Sequence, residues 1–491
     1  MNEITARQPK RPLLWPDTVF DLQDLLSGWD QSIYIVGGSV RDAWQQQSVA
    51  DLDLITPTDA IQLARHIANQ MNGDVFVMDP ERDVARVLVD VDDPYVNDGR
   101  LVIDVARFRD DTLIQDLHDR DFTINAMAVD LKGDLEHTLI DPLNGEDDLE
   151  RHILRRCAPQ SIASDPLRAL RAIRQSAQLR LRIEPETIKD IRSADLSAVS
   201  VERIRNELFK IFTLERPVAA LRVAGVLQTL DSIIPEIAAL KIRPSLALEF
   251  PNAWEQALHA VDKMKELLHT VSHKRTDASA ARFEQGMVVM ALDRFRNQLN
   301  EHIAMRGPEE RDHASLLLFG ALLYLVGPDL AAARAQELRL SNEERGAIRT
   351  MVEGLPRVLE MSSHPSDLEM HRFWHPQGAA GIDACLLALA HFVSLDSTLA
   401  NEDAWLQLLE KTEYLLRAYY ERYDEVILPP PLLNGDSLMN ELGLAPGRHI
   451  GTLLDLIREG QVTGEIRTIE EALTVARHRL SQNGFNGHRH N

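Results

Sequence analysis

The chain has 491 residues, a formal charge of −23 at pH 7, 44% hydrophobic and 26% charged residues. That length is more than one hydrophobic core serves, so about three or four domains are expected, and the composition is that of an ordinary globular protein, with nothing in it that suggests disorder. No apolar run reaches the ~18–20 residues of a membrane helix, and the opening MNEITARQPKRPLLWPD lacks the apolar core of a signal peptide, so a cytoplasmic protein with no membrane partner is expected.

The acidic balance argues against a polyanionic partner only if it is evenly spread. Residues 151–210 hold 13 Lys and Arg against 7 Asp and Glu, a basic segment in an acidic protein. Cys157 and Cys385 are the only two cysteines and form no redox or metal-type pair, so both are expected to be structural.

In chain order, IYIV (33–36), LDLI (52–55), VFVM (75–78), VARVLVDV (84–91) and LVIDVA (101–106) read as short strands separated in part by helical patterns. After residue 150 the pattern is helical throughout, with no convincing strand. Breaks fall near Ala158-Pro159, at KIRPSLALEFPN (241–252), at SSHPSD (362–367) and at the proline run LPPPLLNG (428–435).

The chemistry concentrates in YIVGGSVRDAWQQQSVADLDLITP (34–57). A buried-strand candidate ends at Gly37-Gly38, which allow a sharp turn with open backbone amides, and SVRDAW starts a helix whose N-terminal amides favour anions. Arg41 either adds positive charge there or pairs with Asp42. Asp51 and Asp53 alternate on the next strand and so share a face, where two carboxylates repel unless a cation sits between them. Mg²⁺, with its preference for oxygen ligands, is the usual choice. Separately, a Gly-Gly turn and a D-x-D are more often a plain turn and a solvated strand face; together they point to metal-dependent phosphoryl or nucleotidyl transfer.

GGSVRD, DLDL, DRDFTINAMAVD (119–130), DPLNGEDDLERHILR (141–155), SDPLRALRAIRQSAQLRLRIEPET (164–187) and SVERIRNELFKIF (200–212) follow one another in the order of the motifs of class II tRNA nucleotidyltransferases. The chain resembles this family, the bacterial CCA-adding enzymes with their poly(A) polymerase relatives, closely over about residues 30–215 and more loosely to the end. The resemblance implies an α+β polymerase-β-like nucleotidyltransferase head followed by an all-α neck, body and tail. The corresponding segments are 1–157, 158–240 with the base-selecting motif, 241–362 resembling a degenerate HD domain, and 363–491 as a tRNA-binding tail.

It also implies roles. Gly37, Gly38 and Arg41 cradle the triphosphate, Asp51 and Asp53 bind two Mg²⁺ ions, and Asp104 is a third catalytic carboxylate or a strand-end cap. Arg120, Asp121 and Asn125 contact the ribose and triphosphate, although Asp121 also reads as a helix cap and Asp119 replaces the first of the family's usual two arginines. Asp165 and Arg168, three apart at a helix start, offer an acceptor and a forked donor that suit cytosine and adenine but not uracil or guanine. Ser164 stands where the family has glutamate, and Arg171 and Arg174 follow on the nucleotide side.

Only DDTLIQDLH separates Arg109 from Asp119, where full CCA-adding members carry a longer loop, so the segment resembles that of CC-adding members. The expected reaction adds CMP from CTP, and AMP from ATP in the full CCA-adding case, to tRNA. The alternatives are an A-adding enzyme or poly(A) polymerase of the same fold, and an inactive RNA-binding protein.

NAWEQALHAVDKM (252–264) and LLLFGALLYLVGPDL (316–330) resemble an HD-type phosphohydrolase domain, but Tyr324-Leu325 replace its His-Asp pair and Gln256 another histidine. No phosphohydrolase activity is expected. His371 and His375 read as packing and surface residues, and GHRH near the C-terminus as a mobile tail. GDSLMNELGLAPG and HIGTLLDLIREG read as helices of the tRNA-binding tail, the second ending at Gly460, with Arg448 on phosphate.

Overall fold

The computed structural model describes residues 5–482 except 50, 94–95, 97–98, 248, 274, 276–282, 309–310 and 396–400, so the GHRH segment lies outside the described residues. The chain divides into two compact units, Met1–Ile233 and Ile234–Asn491. The expected head and nearly all of the neck make up the first, and the body and tail the second.

The first unit is built on a six-stranded mixed sheet of β1 (Tyr34–Val36), β2 (Asp51–Thr56), β3 (Asp74–Asp79), β4 (Val84–Asp90), β5 (Arg100–Arg107) and β6 (Ala128–Asp130), in the order β3-β4-β5-β2-β1-β6. β2 and β5 run parallel while the other neighbours are antiparallel. Alternation sorts the two faces: Leu52, Leu54, Ala85, Val87, Ile103 and Val105 are buried on one, leaving the residues between them for the other. The helix α1 spans Asp17–Leu25 and α2 Gly38–Trp44. The next helix, α3 (Ala60–Met71), carries Ala60, Leu63, Ala64, Ile67 and Ala68 on one buried stripe and packs on β3, β4 and β5.

All five expected strands form within one residue or so of their expected limits. Two further pairings escape the sequence pattern. β6 lies within the stretch read as part of a motif, and a short parallel pair, β7 (Ile153–Leu154) with β8 (Arg182–Ile183), corrects the expectation of no strand beyond residue 150. Each is two or three residues long, too short for alternation to register.

Helices α4 (Leu113–His118), α5 (Gly145–Glu150), α6 (Ser161–Ser164), α7 (Arg168–Leu179), α8 (Pro185–Arg192) and α9 (Val201–Thr213) complete the part of this unit that surrounds the motifs. Gly145 opens α5 directly against the Thr123 carbonyl, where a Cβ would overlap it. Thr123 also donates its hydroxyl to Asp148 of α5 at 2.7 Å.

The second unit is helical in its described residues. Its core helices are Ala253–Val271, His313–Leu323, Asn342–Glu360, Ala380–Leu395 and Glu402–Glu421. Asn342–Glu360 is started by a full capping box from Ser341 and Glu344. No single helix among the described residues is long and apolar enough to cross a membrane; one bent pair, Asp367–Gln377 with Ala380–Leu395, passes by composition but is broken by 109° and largely buried. In the tail, Gly443 ends the helix Gly435–Leu442 at φ +64°, as the sequence suggests. The following helix, Arg448–Val462, runs past Gly460 instead of stopping there, and the glycine is accounted for by Ile466, which packs where a side chain at 460 would stand.

Gly145→Ala is expected to destabilise the first unit by ~1–3 kcal/mol through overpacking against Thr123, read as a lower first transition in thermal or urea unfolding. An unchanged transition would mean that α5 shifts freely and does not fix the 119–125 loop.

Candidate active site

Gly37 links β1 to α2 at φ +76°, a backbone conformation that favours glycine. A Cβ there would lie 2.8 Å from Oδ2 of Asp53 and 3.1 Å from a terminal nitrogen of Arg120, so the bare glycine also makes room for both. Ser39 donates its hydroxyl to the Asp51 carbonyl at 3.0 Å and accepts from the Asp53 N–H at 2.9 Å, locking the start of α2 to β2.

The register places Asp53 beside Asp104 of β5, and Asp104 beside Arg86 of β4. Asp51, Asp53 and Asp104 therefore share the polar face. Arg86 takes both oxygens of Asp104, at 2.7 and 2.8 Å. Burial pushes the Asp53 carboxyl up to about 6; Arg120 is the strongest opposing influence, the Asp104 and Asp51 charges add to the rise, and Arg41 opposes it least. Asp51 is raised as well, by burial first and then by Asp104. The pair thus has too little positive charge around it. An all-oxygen donor set short of counter-charge fits a hard divalent cation.

The guanidinium groups around this face all have partners. Arg41 forks onto Asp42 at 2.8 and 3.1 Å, the pairing the sequence allowed, and also donates to Asn125 Oδ1 at 2.7 Å. Arg120 donates to the buried Asp116 of α4 at 3.1 and 3.2 Å and faces Asp53 with its other side. Asp116 also accepts from the Arg109 N–H at 3.0 Å, and Thr112 caps the same helix. The short 110–118 connection is therefore a capped, anchored helical turn.

Asp121 is buried and pairs with Arg171 of α7 at 3.0 Å. It also accepts from the Phe122 N–H at 2.8 Å and from Asn125 at 3.0 Å. Burial raises its pKa, but Arg171, Asn125 and the Phe122 N–H outweigh this and hold the carboxyl below its usual range. Asn125 reaches on to Gln175 of α7 at 2.9 Å.

The SDPLR motif departs from its expected geometry. Asp165 is not at a helix start: it is an extended residue after α6, and α7 begins only at Arg168. The two side chains do not present a joint face. Asp165 pairs with Arg203 of α9 at 2.8 Å, while the buried Arg168 donates to the main-chain carbonyls of Asp119, Arg120 and Ser161 at 2.7–3.2 Å. Arg174 turns to Glu207 at 2.5 Å and to Gln178 at 2.9 Å. Sequence reasoning missed Ser39, Arg86, Asp116, Gln175 and Arg203. Of these only Arg86 carried a signal, a lone charge at the centre of an alternating apolar strand.

In the second unit, the positions compared with an HD centre do meet. Tyr324 O–H lies 3.0 Å from Gln256 Nε2 and 3.1 Å from His391 Nδ1, so a phenol and an amide hydrogen-bond where ligands would be needed. His371 is buried against the Val426 carbonyl at 2.9 Å, a packing role, and both cysteines are free.

A family model described as "Poly A polymerase head domain" matches residues 33–155, and one described as "Probable RNA and SrmB- binding site of polymerase A" matches 180–241. The first carries the sheet and the carboxylate pair and the second α8 and α9, while α7 with Arg168, Arg171 and Arg174 lies between them. The chain is 28% identical over 449 residues to the CC-adding tRNA nucleotidyltransferase of Synechocystis sp., covering 90% of this chain and 92% of that one. It is likewise 28% identical over 449 residues to the A-adding tRNA nucleotidyltransferase of Deinococcus radiodurans, covering 89% and 93%. The fold is that of a CCA-adding enzyme solved with ATP, at TM-score 0.60, 22% identity and 94% and 95% coverage. The fold and site thus define an RNA-type nucleotidyltransferase head on a helical chain. These matches support the class II tRNA nucleotidyltransferase and poly(A) polymerase family for this chain, a family whose members use divalent metal ions.

Because the native Asp121 carboxyl sits below the unfolded value, its stabilisation is full above about pH 4 and is lost as pH falls through the folded pKa. Asp121→Asn is expected to cost about 3 kcal/mol at pH 7, where Arg171 loses its buried partner, and progressively less in acid. Urea unfolding of both proteins from pH 7 to pH 3 checks this; a constant difference would contradict it.

Proposed function

We propose that the chain adds CMP from CTP to the 3′ end of tRNA without a nucleic-acid template, releasing diphosphate, and that it works in the cytoplasm. The observation that carries this reading is the undercompensated Asp51–Asp53 pair standing beside the Gly37 turn on one polar face. Asp51 and Asp53 would hold Mg²⁺, which when bound lowers the barrier to attack by the RNA 3′-hydroxyl and neutralises the departing diphosphate. The rest falls to the chain's own residues.

The open amides at Gly37-Gly38 and the guanidinium groups of Arg41 and Arg120 receive the triphosphate. Both arginines are already fixed by Asp42 and Asp116, so binding spends little side-chain entropy on ordering them. Asp121, held ionised by Arg171, and Asn125 form the ribose side. Asp165 accepts from the exocyclic amine of cytosine or adenine on exchanging its Arg203 partner, and Arg168 supplies donors to the ring acceptors on releasing main-chain carbonyls. Uracil and guanine leave both groups unpaired. Asp104, clamped by Arg86, acts as a charged neighbour of Asp53, and Arg171 and Arg174 hold Asp121 and Glu207 in place.

The anchored 110–118 segment favours CC addition. Its helix is tied through Asp116 to both Arg120 and the Arg109 N–H, which leaves no free loop to re-form the site for a second nucleotide. The relative in Deinococcus radiodurans keeps A addition as the second reading, because its identity to this chain equals that of the CC-adding relative. In the body, the Gln256–Tyr324–His391 contacts support a scaffold without phosphohydrolase activity.

Asp53→Ala is expected to reduce labelled CMP incorporation to background while filter binding of tRNA is retained. Persistent incorporation would refute the site. Asp165→Ala is expected to lower the preference for CTP over UTP by at least ~10²-fold, measured as the ratio of kcat/KM values, while an unchanged ratio would remove Asp165 from base selection.

A further inference from the structure

The second unit holds a polar cluster that the proposed chemistry does not use. His302 lies in the helix Arg296–Ala304, His313 opens the helix His313–Leu323, and Asp383 sits in the first turn of Ala380–Leu395. Nε2 of His302 is 2.6 Å from Oδ1 of Asp383, and Nε2 of His313 is 2.9 Å from the same oxygen. One ligand atom from each of the three lies within 4.8 Å of the others, and the side chains are 7%, 13% and 2% exposed in that order.

The first two helices are held in register by the turn between them. Gly307 N–H bonds the Arg311 carbonyl at 2.8 Å, His313 N–H the Met305 carbonyl at 3.0 Å, and Arg311 pairs with the buried Glu344 at 2.8 Å. The imidazoles therefore reach Asp383 from a backbone that is already fixed.

We propose that His302, His313 and Asp383 ligate one divalent transition-metal ion, zinc by donor type, that ties these three helices together. Two imidazole nitrogens and a carboxylate oxygen are a donor set suited to zinc and its neighbours and unlike the all-oxygen Asp51–Asp53 pair. With metal–ligand bonds of ~2.0–2.1 Å, ligand atoms in a tetrahedral site stand ~3.3 Å apart, so the contacts of 2.6 and 2.9 Å open by about 0.7 and about 0.4 Å. A fourth position remains for water. The site is also separate from the HD-like positions. Asp383 precedes His391 by eight residues on one helix, about 12 Å along its axis, and the Gln256–Tyr324–His391 contacts lie at that other end.

The same three side chains can be held by protons alone, and the two cases differ in what the full-length protein binds. Chelator-stripped protein is titrated with Co²⁺ in excess Mg²⁺, which occupies the carboxylate pair. Metal ligation predicts one equivalent of Co²⁺ with the intense visible bands of a low-coordinate nitrogen-containing site, displaced by Zn²⁺ and unchanged in Asp53→Ala. His313→Gln, the most exposed of the three ligands, is expected to weaken Co²⁺ binding by at least ~10²-fold while keeping its far-ultraviolet circular dichroism, and to abolish the Zn²⁺-dependent rise in Tm. Folded wild-type protein without those bands, or the same bands and affinity in His313→Gln and in Asp383→Asn, overturns the proposal.

Discussion

Two carboxylates on one face of one strand, with less positive charge around them than they need, are the constraint on which the first unit depends. Asp51 and Asp53 are brought together by strand alternation, and Asp104 is added by the parallel register of β2 with β5. The nearest compensating groups are already engaged: Arg86 by Asp104, Arg120 by Asp116 and Arg41 by Asp42. Burial pushes the Asp53 carboxyl up to about 6, the Asp104 and Asp51 charges add to the rise, and the pull of Arg120 and Arg41 only partly offsets it, a setting that suits a hard divalent cation.

The same pairing reconciles an acidic protein with a polyanionic substrate. Basic groups near the motifs are held by carboxylates one at a time: Arg171 by Asp121, Arg174 by Glu207, and Arg203 by Asp165. Such pairs keep guanidinium groups oriented without a nucleotide, and they are groups that an incoming phosphate or base can replace as partners. Gly37 is needed for a related reason, since its conformation and its missing side chain let the β1–α2 turn approach Asp53 and Arg120 together.

Local signals in the sequence were good where the structure is local. Alternation, with one continuous apolar run for β1, located β1 to β5, and the Gly-Gly turn followed by D-x-D pointed to the shared polar face, because both depend on residues within a few positions of each other. What depends on long-range pairing was not legible. β6 and the β7–β8 pair are too short to show a period, and the partners of Arg86, Asp116 and Gln175 come from other elements. The SDPLR motif shows the limit most clearly. Its spacing suggested one helix face, but the chain is extended at Asp165, and Arg168 is drawn away by carbonyls more than forty residues upstream. Gly460 repeats the lesson in the tail, where the glycine makes room for Ile466 inside a helix and does not mark its end.

Cytidylate transfer to tRNA at this face, halted before adenylate by the anchored 110–118 segment, is open to one direct measurement. Purified protein, Mg²⁺ and tRNA lacking its 3′ CCA, supplied with CTP alone, ATP alone or both, and with products resolved to single nucleotides, tests it directly. The account predicts two added residues with CTP, none with ATP alone, and still two with both. A third residue in the mixture, or addition from ATP alone, would contradict it.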